Sequence, residues 1–252
     1  LIFQYILYKN SQSSKTFMQN KEHISKQFDA SLEEVRTRVL QMGGFVEEQI
    51  ECAIEALITG NEDLINQVIT RDHRVNAMEV SIDEICNQII ARRQPTASDL
   101  RLIMMVIKTI TDLERIGDEA AKIARMAKLI YASDRMHIPR FNEIKHVASI
   151  AMEMLHKALD SFARLDLNAA AQIVRQDEFV DEEFRSILRQ LITFMMEDPR
   201  KISTCLEILF IAKAIERIGD HAKNMSEYVV YMVKGKDVRH VTADQIEQEI
   251  KE

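Results

Sequence analysis

The pentapeptide Glu-Arg-Ile-Gly-Asp occurs twice, at 114–118 and at 216–220, and this doubling constrains the fold more than any other feature of the chain. The flanks repeat with it. Glu114 and Glu216 are 102 residues apart, Pro95 and Pro199 are 104 apart, and Asp72 and Asp177 are 105 apart. Around the last pair, Asp72-x-x-Val75-Asn76 matches Asp177-x-x-Val180-Asp181. A fixed period with small drift is the mark of a duplicated structural unit whose copies have gained and lost a few residues.

Each unit reads as three long helices. Only six Gly and three Pro punctuate 252 residues, so few connections are available. No alternating Val/Ile/Thr/aromatic run lies between turn clusters, which leaves no strand signal. The first segment runs from about Ser31 to Thr59 and stops at Gly60, with Asn61 placed to cap the next. The second runs from Glu62 to about Arg92, before Pro95. Thr96 or Ser98 caps the third, which continues to about Tyr131 and would span roughly 50 Å at 1.5 Å per residue. After the linker SDRMHIP (133–139), the fourth segment covers Arg140 to Leu165 and the fifth Asn168 to Met196. Glu197-Asp198-Pro199 breaks the pattern, and the sixth runs from Lys201 to Lys234. Long helices joined by short turns pack as antiparallel neighbours. The expected architecture is all-α: a tandem duplication of a three-helix bundle, with repeats at 31–132 and 140–235. Residues 1–30 are expected to form a disordered N-terminal extension, and 236–252 a loosely attached, charged tail.

Composition narrows the function. A formal charge of −7 and a pI near 5.6 disfavour nucleic-acid binding, which needs a cationic face to displace counterions. Cys52, Cys86 and Cys205 are odd in number, lack CxxC spacing and lie in apolar helical pattern, which reads as free buried thiols in a reducing compartment. The apolar run LIFQYILY is far shorter than the ~20 residues a bilayer demands. Residues 1–17 read as an upstream extension ahead of Met18, and a cytoplasmic location is expected.

The repeated motif places two carboxylates on one helix face, because residues i and i+4 project together. Glu114 with Asp118, and Glu216 with Asp220, lie beside the apolar stripe. Acids near a core must be neutralised by protons, cations or metal. Gly117 and Gly219 sit mid-helix at a cost of ~1 kcal/mol each relative to Ala, which implies close approach of something to the backbone. The middle helices bring further oxygen donors: Asp72, Asn76 and Glu79 in one repeat, Asp177 and Asp181 in the other. If helices two and three are antiparallel neighbours, these can face the ExxxD pairs. An oxygen-only cluster of this kind favours Mg, Mn, Ca or carboxylate-bridged iron over Zn. The simpler alternative is that Arg115, Arg217 or other basic residues pair with the acids.

The strings IIARRQP, SDLR, DLERIGDEAAKIA, FMMEDPRKIS and ERIGDHAKNMSEYVVYMVKGKDVRH closely resemble the PhoU family of phosphate-specific transport accessory proteins. The resemblance covers about Met18 to His240 and both repeats. It implies a pair of three-helix bundles, whose Glu/Asp-x-x-x-Asp signatures, metal-binding in some members, fall on Glu114/Asp118 and Glu216/Asp220. It further implies a non-enzymatic negative regulator of the phosphate-starvation response and of phosphate uptake. Such a protein bridges the ATPase subunit of the phosphate ABC transporter and a phosphate-sensing histidine kinase. A homodimer and a membrane association made only through partners are implied as well, with no organic cofactor.

Two rival classes use the same carboxylates: a metal-dependent phosphohydrolase or oxidase, and a metal-storage bundle. Glu143-x-x-His146 and Glu153-x-x-His156 match the ExxH element of di-iron bundles, but both fall on helix four and point in different directions, so they read as surface residues. His73 and His221 each follow a carboxylate directly, about 100° away around the helix, and are expected to be exposed. No GxSxG, Cys/His pairing or Gly-rich phosphate loop supports nucleophilic catalysis or nucleotide binding. Arg92, Arg93 and Arg101 flank a helix N-terminus that could attract an anion, though a solvated turn explains them as well. Met104, Met105, Met195 and Met196 read as core filler or partner-facing surface.

Overall fold

Helix breakers and caps mark out the chain. In a computed structural model, residues 26–132, 142–239 and 241–251 are described. Among them are seven α-helices and no strand: α1 (Lys26–Thr59), α2 (Glu62–Arg93), α3 (Ala97–Ala132), α4 (Asn142–Arg164), α5 (Leu167–Glu197), α6 (Ile202–Lys234) and α7 (Ala243–Lys251). A single 3-10 turn, Pro199–Lys201, precedes α6. The side chain of Asn61 accepts the Leu64 N–H and caps α2 as expected, while Asp166 accepts the N–H groups of Asn168 and Ala169 to start α5. At α3 the carbonyl of Thr96 accepts the Leu100 N–H at 2.8 Å, so Thr96 occupies the cap position.

The first helix is longer than the sequence pattern implied. It starts at Lys26, and Phe28 is buried against the core, so residues 26–30 belong to the bundle. The expectations for residues 1–25 and for the whole of the 133–139 linker fall outside the described residues. No described helix is long and apolar enough to cross a membrane.

Helices α1, α2 and α3 pack on one another, as do α4, α5 and α6. The bundles meet along their third helices, with a smaller contact between α1 and α4. From one end of the seam to the other, Arg101 lies over Tyr231, Lys108 over Tyr228, Asp112 against His221 and Glu119 against Arg217. Rising numbers on α3 meet falling numbers on α6, so the two motif-bearing helices are antiparallel. One apolar core runs through both bundles, from Val35 and Met42 on α1 through Ile116 on α3 to Met154 on α4 and Ile218 on α6. Cys86 and Cys205 are buried in it, Cys52 is half-buried, and all three are free thiols.

Candidate functional site: two carboxylate clusters beside a buried seam

Antiparallel packing of α2 on α3 brings the expected acids of the first repeat within electrostatic reach. Burial pushes the Glu114 carboxyl up, and the charges of Asp118, Glu79 and Asp72 push it further. Asp72 is raised in the same way, by burial first and Asp118 second. Arg115 and Arg125 lower these groups only through space. Glu79 accepts a hydrogen bond from Thr111 Oγ1 at 3.1 Å. Asp72 Oδ1 and Asn76 Oδ1, one turn apart on α2, are buried and accept no hydrogen bond among the described residues.

The second cluster has the same skeleton with different neutralisation. Asp177 and Glu216 are buried; Asp181 and Asp220 are half-buried. Lys213 Nζ donates to both carboxylate oxygens of Glu216 at 2.6 Å. Lys223 Nζ donates to Asp177 Oδ2 at 2.8 Å, and Arg185 lies 3.5 Å from Asp181. Among the described residues, Asp220 receives no such hydrogen-bonded cation. Burial, then the charges of Glu216 and Asp177, push its pKa up to about 6.

The acids of each cluster therefore sense one another, yet they are not drawn into a ligand shell. Among the described residues, no group of three or more His, Cys, Asp or Glu side chains is arranged to hold a metal ion. The first cluster, with orphaned oxygen acceptors and no lysine, has the donor set of a hard-cation site. In the second, Lys213 and Lys223 already supply positive charge, which is the simpler pairing weighed above, made by lysines.

Both mid-helix glycines face the repeat-related valine of the second helix, but only at Gly117 would a methyl group be crowded. A Cβ added at Gly117 would lie 3.2 Å from Val75 Cγ1, and one at Gly219 would lie 3.5 Å from Val180 Cγ1. Val75 and Val180 are the repeat-related valines, so in both halves the third helix approaches the second closely at this point. That approach is what sets the acids of the two helices side by side.

Along the seam the structure departs from the sequence reading. His221 is buried, not exposed: its Nδ1 lies 2.8 Å from Asp112 Oδ1, its Nε2 finds no hydrogen-bond partner among the described residues, and Tyr228 also lies against Asp112. Its position 100° from Asp220 turns it away from the carboxylate cluster and into α3 of the other bundle. Arg217 also crosses the seam, with Nη1 at 2.5 Å from the buried Glu119. Asp112 and Glu119 were not singled out by sequence; their seven-residue spacing on one face of α3 is the signal that could have found them. His73 is exposed as expected, as are Glu143, His146, Glu153 and His156. His156 Nδ1 is 2.9 Å from Glu47 Oε1. Arg92 and Arg93 are exposed and Arg101 leans on Tyr231. Met105 is buried, Met195 half-buried, and Met104 and Met196 exposed.

Comparison with known proteins finds matches over both repeats. The PhoU domain model covers residues 39–127 and 144–229. The phosphate-specific transport system accessory protein PhoU of Edwardsiella tarda is 50% identical over 90% of this chain and 93% of its own length. The protein of the same name from Escherichia coli K12 is 49% identical over the same shares. A crystal structure of PhoU from Pseudomonas aeruginosa superposes with a TM-score of 0.80 at 48% identity, covering 83% of this chain and all of that one. The phosphate transport system regulatory protein PhoU from Streptococcus pneumoniae superposes with a TM-score of 0.78 at 27% identity, covering 84% and 99%.

Proposed function

Because the chain belongs to the PhoU family, we propose that it is an accessory regulator of phosphate-specific transport that represses the phosphate-starvation response when phosphate is plentiful. In this reading it works by binding and not by turnover. From the cytoplasm, and as a homodimer, it links the ATPase subunit of a phosphate ABC transporter to a phosphate-sensing histidine kinase. The observation that carries the reading is identity of about half over nine-tenths of the chain, both motif copies included, to proteins named for this system. The test is deletion in a strain carrying a phosphate-starvation reporter. Loss of the protein should leave the reporter active in high phosphate; a reporter that stays repressed would remove the regulatory role.

The carboxylate clusters fit the reading as bracing elements. Asp72, Asn76, Glu79, Glu114 and Asp118 would hold a hard cation such as Mg, Mn or iron. Asp177, Asp181, Glu216 and Asp220 would hold another after displacement of their lysines. A bound cation would supply charge neutralisation across the α2–α3 and α5–α6 contacts. The chain's own residues already do part of this. Lys213 and Lys223 neutralise the second cluster, and Val75 and Val180 fix the spacing of the helices that carry both.

A further inference from the structure

The segment after α6 is neither loose nor part of the main core. Gly235, at φ 72°, ends α6 in the left-handed conformation and turns the chain back. Val238 and Ile246 then become buried, at 2% and 0% exposure. Helix α7 opens with a reciprocal capping box: Gln245 Oε1 accepts the Thr242 N–H at 2.9 Å, and Thr242 Oγ1 accepts the Gln245 N–H at 3.4 Å.

The two anchors enter a groove of small side chains on α5 and α6, formed by Ala170, Ala171, Val174 and Val230. This cluster is separate from the core that unites the bundles. Two ion pairs on this surface, Arg175 with Asp244 at 3.0 Å and Lys236 with the half-buried Glu249, involve otherwise exposed side chains, where such pairs hold weakly. The same segment walls a cavity of about 410 Å³: Asp220, His221, Lys223 and Glu227 line it from α6, with Arg239 and Val241 from the returning chain. The segment thus does two things at once: Val238 and Ile246 fill an apolar groove, and Arg239 and Val241 form one wall of the cavity that Asp220 lines.

We infer that the α5–α6 groove is a receptor for an acidic amphipathic helix, which the chain fills in cis with its own α7 and which a partner's helix can occupy in exchange. Small groove residues let a helix backbone approach closely. The groove's chemistry fixes the class of partner: a protein helix with one branched aliphatic anchor in the place of Ile246 and an acid to meet Arg175. The cis filling stands on geometry alone, and only the exchange rests on the adaptor reading.

The test uses the full chain. Ile246→Asp should detach α7, so that amides of residues 167–175 exchange about tenfold or more faster while those of α1–α3 keep their rates. A synthetic peptide of residues 236–252 should then bind the variant saturably, restore slow exchange, and leave the wild-type chain unbound. The same peptide carrying Ile246→Asp should not bind. Faster exchange throughout the variant would show α7 to be part of one cooperative core and overturn the inference. Loss of protection with no peptide binding would overturn it too, and would leave the reporter test of the adaptor reading untouched.

Discussion

Val75 on α2 and Gly117 on α3 meet so closely that a methyl group at 117 would sit 3.2 Å from Val75 Cγ1 and 3.3 Å from Cγ2. The repeat-related pair, Val180 and Gly219, leaves 3.5 Å, an ordinary van der Waals distance. Alanine is worth about 1 kcal/mol over glycine inside a helix. At 219 that gain should be realised, and Gly219→Ala should stabilise the chain by about 0.5–1 kcal/mol. At 117 the branched valine, stiff at χ1, must yield, so Gly117→Ala should cost about 1 kcal/mol despite the better propensity. Urea unfolding of the two variants should place them on opposite sides of the wild type; equal stabilisation would mean that the α2–α3 contact is looser than described.

The buried pair Asp112–His221 ties the bundles together across the α3–α6 seam. Removing the imidazole leaves Asp112 buried with neither oxygen satisfied by histidine. His221→Ala should therefore cost about 2–4 kcal/mol. Asp112→Ala should cost a similar amount, and the double variant less than the sum, with a coupling above about 1 kcal/mol. Additive losses would show that the two residues do not interact in solution.

How far the sequence announced this architecture depends on how local each signal is. The duplication and the six long helices were legible because Gly60, Asn61, Pro95 and Pro199 interrupt the pattern where helices end, and periodicity does the rest. The facing of Asp72 and Glu79 toward Glu114 and Asp118 followed from i,i+4 geometry and antiparallel packing. His221 was misplaced because α6 is covered on one side by its own bundle and on another by α3, so a residue off the first apolar stripe has no solvent face to occupy. Lys213 and Lys223 reach their acids through long flexible stems, a choice among rotamers that helical spacing does not fix. The chain after Gly235 looked like a tail because its composition is charged. Two aliphatic anchors, Val238 and Ile246, were enough to seat it.

Two acids near the second cluster should make stability depend on pH. Burial and the charges of Glu216 and Asp177 push Asp220 up to about 6 against an ordinary 3.8, and burial with the Asp177 charge pushes Glu227 to about 7 against 4.5. A carboxyl whose folded pKa is raised favours the folded state only while protonated. Its contribution is complete below the unfolded value and is lost as pH rises through the folded one. The windows are therefore about pH 4–6 for Asp220 and about pH 4.5–7 for Glu227. At pH 8, Asp220→Asn and Glu227→Gln should each be more stable than the wild type by about 1–3 kcal/mol, with the gap closing toward pH 4. Urea unfolding across this range reads it directly, and a gap independent of pH would rule out titration of these groups as its cause.

The two carboxylate clusters should also load unequally with divalent metal. In the first, Glu79, Glu114, Asp118 and Asp72 raise or feel one another's charge, and Asp72 Oδ1 and Asn76 Oδ1 stand unsatisfied. A cation there relieves repulsion and fills empty acceptors. In the second it must first displace Lys213 from Glu216 and Lys223 from Asp177, and those charge-assisted bonds oppose it. Titration with Mn²⁺ should show its tighter step at the first cluster: Glu114→Gln with Asp118→Asn should abolish that step, while Glu216→Gln with Asp220→Asn leaves it in place. Replacing Lys223 with Met should strengthen the weaker step, because Asp177 then lacks its resident cation. The reverse order of loading would mean that the lysines pre-arrange the second cluster for metal and do not compete with it.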